Sequence, residues 1–189
     1  MNIAVDVVSE ELSCSQIDAI GVGELVSYGQ TLSAMLDMVE ASDAVTTVGA
    51  SLASVLHSAS LTGGAKPACC DVSRYGRELM YLDPAKRFTI LVLRWLPGAA
   101  TRIHGHNAWG VVGVHSGNLT IRCYDLLDDT SLVSQTMQVV GSAGDVSIVG
   151  PAPKGIHAIS NETDSEAYSV HIYGMDLSVE PEGINVYYE

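Results

Sequence analysis

The sequence predicts a mainly β fold, a sandwich or barrel, preceded by a short helical section. Three observations carry this. Apolar residues recur at three- and four-residue steps before about residue 65, and at two-residue steps from Val72 onward. Short strand-like runs then follow one another at regular spacing. The breaks between them carry Gly, Pro, Asp and Asn, as in all-β sandwiches and barrels.

Taken in order, Gly23 to Ala41 places Leu25, Val26, Tyr28, Leu32, Met35, Leu36 and Val39 mostly on one face of a helix. Ser42-Asp43 offers a cap for a second helix through roughly His57, with Val45, Val48, Leu52 and Leu56 as its apolar stripe. Ser60 to Pro67 has turn chemistry. Arg87 to Trp95 is rich in β-branched and aliphatic residues. Further strands are expected at Trp109–Val114, Asn118–Leu126, Leu132–Val140, Val146–Val149, His157–Ser160, Ala167–Tyr173 and Ile184–Tyr188. Residues 1–72 are expected to form a helical section packed on a barrel of residues 73–189, the two making one structural domain.

The chain has 189 residues, 47% of them hydrophobic and 16% charged, a globular composition able to bury a core. A net charge of −13 argues against nucleic acid and anionic membranes as partners. Cys14, Cys69, Cys70 and Cys123 show no C-x-x-C spacing. The adjacent pair Cys69-Cys70 is poor geometry for a zinc clip or a disulfide. With no signal peptide and no membrane-length apolar run evident, a reduced cytoplasmic protein is the expectation.

The chemistry concentrates at Gly98-Ala-Ala-Thr-Arg-Ile-His104-Gly-His106-Asn-Ala-Trp109-Gly110. On extended backbone, residues two apart share a face, so His104 and His106 project two imidazoles into one place. Neutral imidazole is the commonest protein metal ligand. Ser169, His171 and Tyr173 also occupy alternate positions and face one side of a strand. A polar row in a barrel interior is costly unless its members bond one another or a ligand.

The run Gly98, His104, His106, Gly110, Gly117 resembles the first motif of the cupin superfamily. Gly144, Pro153-Lys-Gly155, His157 and Asn161 resemble its second motif more loosely. This resemblance implies a jelly-roll barrel, with N-terminal helices outside it, and makes His157 the third metal ligand. Many metal-binding cupins carry a Glu ligand where this chain has Gly110. A three-histidine set is more similar to the cysteine dioxygenase family, the thiol dioxygenases. Tyr75-Gly-Arg77 resembles that family's Tyr-x-Arg segment, whose arginine holds the substrate carboxylate. Ser169-Val-His171-Ile-Tyr173 resembles its Ser-x-His-x-Tyr segment.

The resemblance implies one Fe(II) per chain on His104, His106 and His157. It implies Arg77 and Tyr75 as substrate-binding residues, and Tyr173, His171 and Ser169 as catalytic ones. The substrates would be O2 and cysteine or a related small carboxylated thiol, the product a sulfinate. A non-thiol amino acid substrate and a metal-binding cupin without catalysis stay open as alternatives. The chain departs from the family pattern in three places. Gly110 or Val111 stands where animal enzymes have a cysteine cross-linked to the tyrosine, so no cross-link is expected. Gly105 replaces the usual Asp. Arg102 lies two residues before His104, either sharing its face as a second cation near the metal or turned outward. Arg77 is expected to be buried and to want a carboxylate partner. His115 is expected to face solvent.

Overall fold

The computed structural model describes residues 19–57, 75–127, 132–178 and 184–189. Cys14, Cys69, Cys70 and the Ser60–Pro67 turn lie outside the described residues. Among the described residues, ten strands form two antiparallel sheets that face each other as a jelly roll. One sheet runs β1 (Tyr75–Leu82), β2 (Thr89–Trp95), β9 (Ala167–Tyr173), β4 (Gly110–Ser116), β7 (Val146–Val149). The other runs β10 (Asn185–Tyr187), β3 (His104–His106), β8 (Ile156–Ser160), β5 (Asn118–Leu126), β6 (Val133–Ser142). No described helix is long and apolar enough to cross a membrane.

Strand alternation builds two cores. On the first sheet's outer face, Ile90 and Val92 of β2, Val170 and Ile172 of β9 and Val111 of β4 pack under the helices. Helix α1 (Ala19–Leu36) contributes Leu25, Tyr28, Leu32 and Leu36, and α2 (Ala44–Val55) contributes Val48 and Leu52, with Leu56 just beyond. The inner core lies between the sheets, with Leu91, Leu93, Trp95, Val114, Leu119, Ile159 and Tyr173.

Both helices differ from expectation at their ends. The first stops at Leu36 rather than Ala41, and Met38 is 87% exposed. Asp37 is instead held outside the helix by Arg87, whose guanidinium also binds Asp83 and the Ser33 carbonyl. Ser42-Asp43 does not cap α2 through a side chain. A 3-10 turn, Ala41–Asp43, runs straight into the helix, and the Ala44 N–H donates to the Ala41 carbonyl. The preceding turn thus satisfies a backbone donor that a side-chain cap would otherwise serve. β1 begins at the Tyr75-Gly-Arg77 segment and, among the described residues, pairs only with β2, which makes it an edge strand there.

Candidate metal centre

The three histidines come from two adjacent strands of one sheet. His104 and His106 are both in β3, and His104 pairs in register with His157 of β8. All three are buried, and their ring nitrogens lie within 4.8 Å of one another. Backbone carbonyls fix two of the rings. His104 Nδ1 lies 2.9 Å from the Arg102 carbonyl and His157 Nδ1 lies 2.7 Å from the Gly155 carbonyl. Each Nδ1 carries its hydrogen toward an oxygen, which leaves each Nε2 as a lone-pair donor. The Gly155 carbonyl can take this position because Gly155 adopts φ +71°, where a Cβ would lie 2.5 Å from Val149 Cγ1.

His106 is the test of fit. It is fully buried, and among the described residues neither of its ring nitrogens has a hydrogen-bond partner. An orphaned buried imidazole is costly unless something ligates it. Burial, and then the neighbouring His157, His104 and His171, push His106 down to about 2. Burial and His104 bring His157 to about 4 despite its carbonyl bond. Burial also lowers His104, and the Arg77 charge adds to this. All three are therefore neutral near pH 7, the form that binds metal. The donor set fits a divalent transition metal with open positions.

The polar row on β9 forms the expected relay and continues further than expected. His171 Nε2 lies 2.8 Å from Ser169 Oγ, and His171 Nδ1 lies 3.1 Å from the Tyr173 hydroxyl. The Trp95 indole N–H donates to Ser169 Oγ at 2.8 Å. Indole can only donate. With the His171 hydrogen on Nδ1, Ser169 O–H donates to Nε2 and Nδ1–H donates to the Tyr173 oxygen; with it on Nε2, both bonds reverse. In the first of these tautomers the phenol hydrogen remains for a ligand. Burial holds His171 near 3, with His157, His104 and Arg77 adding to the effect, and pushes the Tyr173 hydroxyl well above its usual value. Both groups are neutral. The Tyr173 ring is 4.8 Å from that of His106, so the relay ends against the histidine trio.

Gly110 completes this contact. A Cβ there would lie 3.2 Å from Cδ1 and Cε1 of Tyr173, so Gly110 faces the tyrosine, whereas Val111 is buried under the helices. Glycine offers no atom for a cross-link.

The remaining candidates fall differently. Tyr75 stacks on Trp95 with ring centroids 5.1 Å apart. Arg77 is exposed, not buried as expected, because β1 is an edge strand. It borders a cavity of about 240 Å³ with Leu79, Leu91 and Leu177. Its charge reaches the site, lowering His104 and His171. Arg102 is the outward of the two options: it is exposed and stacks over Tyr187 at 4.4 Å. His115 is half-buried rather than solvent-facing, and its Nδ1 lies 3.0 Å from the Leu56 carbonyl, where it serves the end of α2.

Two facing antiparallel sheets with three inward histidines define a cupin whose site can hold a metal ion. The sequence model described as Cysteine dioxygenase type I matches residues 21–179. The chain belongs to that family. Family and site together support a metal-dependent cupin oxygenase. Among solved structures, an oxalate oxidase in complex with the substrate analogue glycolate is 17% identical, with a TM-score of 0.47 over 58% of this chain and 56% of that one. A recombinant oxalate oxidase in complex with glycolate is 17% identical, with a TM-score of 0.48 over 65% and 59%. A cupin 2 conserved barrel domain protein from Salinispora arenicola CNS-205 is 17% identical, with a TM-score of 0.41 over 53% and 76%. The chain thus spans less than two thirds of either oxalate oxidase.

Proposed function

We propose that the protein is a non-haem Fe(II) thiol dioxygenase that converts cysteine or a related small carboxylated thiol to its sulfinate. The observation that carries this reading is the pairing of a buried three-histidine site, in which His106 has both ring nitrogens orphaned, with a neutral Tyr173 held against it. His104, His106 and His157 would hold the iron. When bound, Fe(II) would supply the redox chemistry with O2 and favour the thiolate form of the substrate.

The protein's part is binding and orientation. Arg77, whose charge reaches His104 and His171, offers a planar two-point contact to the substrate carboxylate. Leu91 and Leu177, both buried, line the same cavity. Tyr173 donates its phenol hydrogen toward the reacting groups. It stays a donor because burial keeps it protonated, and Trp95, Ser169 and His171 hold it from behind.

The test is oxygen consumption by iron-loaded protein with product identification by mass spectrometry. One sulfinate per O2 from a carboxylated thiol is expected, and Arg77→Ala should raise KM more than it lowers kcat. Uptake only with a thiol-free amino acid would move the function to another cupin oxygenation. No uptake with any candidate would leave a metal-binding module.

A further inference from the structure

The barrel has a small cavity on the Arg77 side of the histidines and a wider cleft on the other. Between β4 and β7 on one sheet and β5 and β6 on the other lies a cleft of about 650 Å³ that reaches His157. Register shows which side chains point into it. Cys123 pairs with both His157 and Met137, and Ile121 pairs with both Ile159 and Val139. These residues therefore share the inward face with the ligand histidine. From the opposite sheet, Val112 pairs with His171, and Val114 with Ser169. Met137 and Val139 point inward, yet they are 52% and 43% exposed, because the cleft opens between the edge strands β6 and β7. Barrels of this size are normally filled by their own side chains. Here Val112, Val114, Ile121, Met137, Val139 and Ile159 line an apolar passage instead.

The passage lies across the histidines from Arg77. On the first sheet, Arg77 is on the β1 edge, His171 is on the central strand, and Val112 is one strand beyond. A cysteine-sized molecule would need only the Arg77 cavity and the metal site. A cleft of this volume matches sites that take much larger ligands, mostly apolar with a few polar anchors. Its continuity with His157 and Val112 makes the substrate its occupant, rather than a separate partner.

We propose, resting on the thiol dioxygenase reading, that the preferred substrate is a carboxylated thiol bearing an apolar chain or ring that extends past His157 into this cleft. The carboxylate sits at Arg77 and the sulfur at the histidines, with the third arm in the cleft. The balance is that of simple thiol dioxygenation. The S–H and O–O bonds break and two S–O bonds form. Sulfur supplies the four electrons that reduce O2, the thiol proton leaves to solvent, and the apolar arm is unchanged.

The experiment is calorimetric titration of the full chain, metal-free and iron-loaded, with straight-chain 2-mercapto acids from propanoic to decanoic and with the sulfur-free acids of the same lengths. Sulfinate is measured in parallel in the iron-loaded protein. Affinity is expected to rise about three- to fourfold per added methylene in both metal states. Val139→Asp and Met137→Glu, at the exposed mouth, should flatten that slope while the melting temperature holds. Affinity independent of chain length in the unaltered protein overturns the proposal. So does a slope that survives both variants, since the chain would then be bound elsewhere. A slope that the variants abolish, with no sulfinate from any thiol, refutes the dioxygenase reading and the thiol assignment but leaves an apolar-ligand cleft.

Discussion

β9 places two different environments on one seven-residue strand. Its odd positions, Ser169, His171 and Tyr173, face the barrel interior and bond one another. Two of its even positions, Val170 and Ile172, are fully buried under the helices, and their side chains bond nothing. Both rows are hidden from water, but only the inner one holds groups whose protonation and ligation can change. The outer row contributes packing that tolerates near-isosteric change. The inner row is joined by hydrogen bonds from the Trp95 indole through Ser169 and His171 to the Tyr173 phenol. Burial alone therefore does not distinguish a core from a site; what distinguishes them is whether the buried groups have orphaned or directed lone pairs.

Mutation on the two faces should separate these roles. The largest effect belongs to a ligand facing β9: His157→Ala is expected to lower metal affinity by more than about 100-fold, since even partners behind a ligand are worth 10–100-fold. Equilibrium dialysis measures this, and a variant retaining wild-type affinity would remove His157 from the site.

Next comes pH. In metal-free protein the folded-state values of His106, His157 and His171 lie near 2, 4 and 3, below the value near 6.5 of an unfolded chain, and His104 is lowered too. The unfolded state then binds more protons between those values, so stability rises with pH across that window. Metal-free protein should lose stability as pH falls from about 6.5 toward 5, by up to about 1.4 kcal/mol per pH unit for each imidazole. A melting temperature flat over that range would contradict the buried neutral histidines.

Ser169→Ala leaves the buried Trp95 N–H unpaired and should cost about 1–3 kcal/mol, with a fall in kcat because Tyr173 loses its support. Urea unfolding beside steady-state kinetics reads both. Ile172→Val, one position from His171 but on the other face, should cost only about 0.5–1.5 kcal/mol and leave metal affinity and kcat unchanged. If Ile172→Val altered kcat as Ser169→Ala does, the two faces would not be functionally distinct.

Much of this was legible in the sequence because it rests on local periodicity. His104 with His106, and Ser169 with His171 and Tyr173, are pairs two apart on single strands, and alternation alone gives their shared face. What escaped depends on register or on bending. Trp95 joins the relay from a strand 74 residues away, and no local pattern specifies which residue it will face. Arg102 stands before β3 begins, where alternation does not yet hold, and so turns out to Tyr187. Arg77 was misjudged because its exposure follows from the place of β1 at the edge of a sheet, a tertiary fact. The Ser42-Asp43 cap was wrongly expected, and the His115 contact missed, for the same kind of reason: backbone from a neighbouring turn serves one helix end and a strand residue serves the other.

The position of β2 has a consequence for the making of the protein. Its partner on one side is β1, its neighbour in sequence. On the other side it is β9, with Thr89 opposite Tyr173 and Trp95 opposite Ala167. Roughly 80 residues must be synthesised before that second edge is covered, a long-range pairing of the kind that slows folding. At translation rates of about 5–20 residues per second, the ribosome needs some ~4–16 s for that stretch. Throughout it, the Ile-Leu-Val-Leu run of β2 is a bare template for another nascent chain. The strand that anchors the finished sheet is thus the one most exposed to misassembly at birth, and slow, cool expression would favour its correct partner.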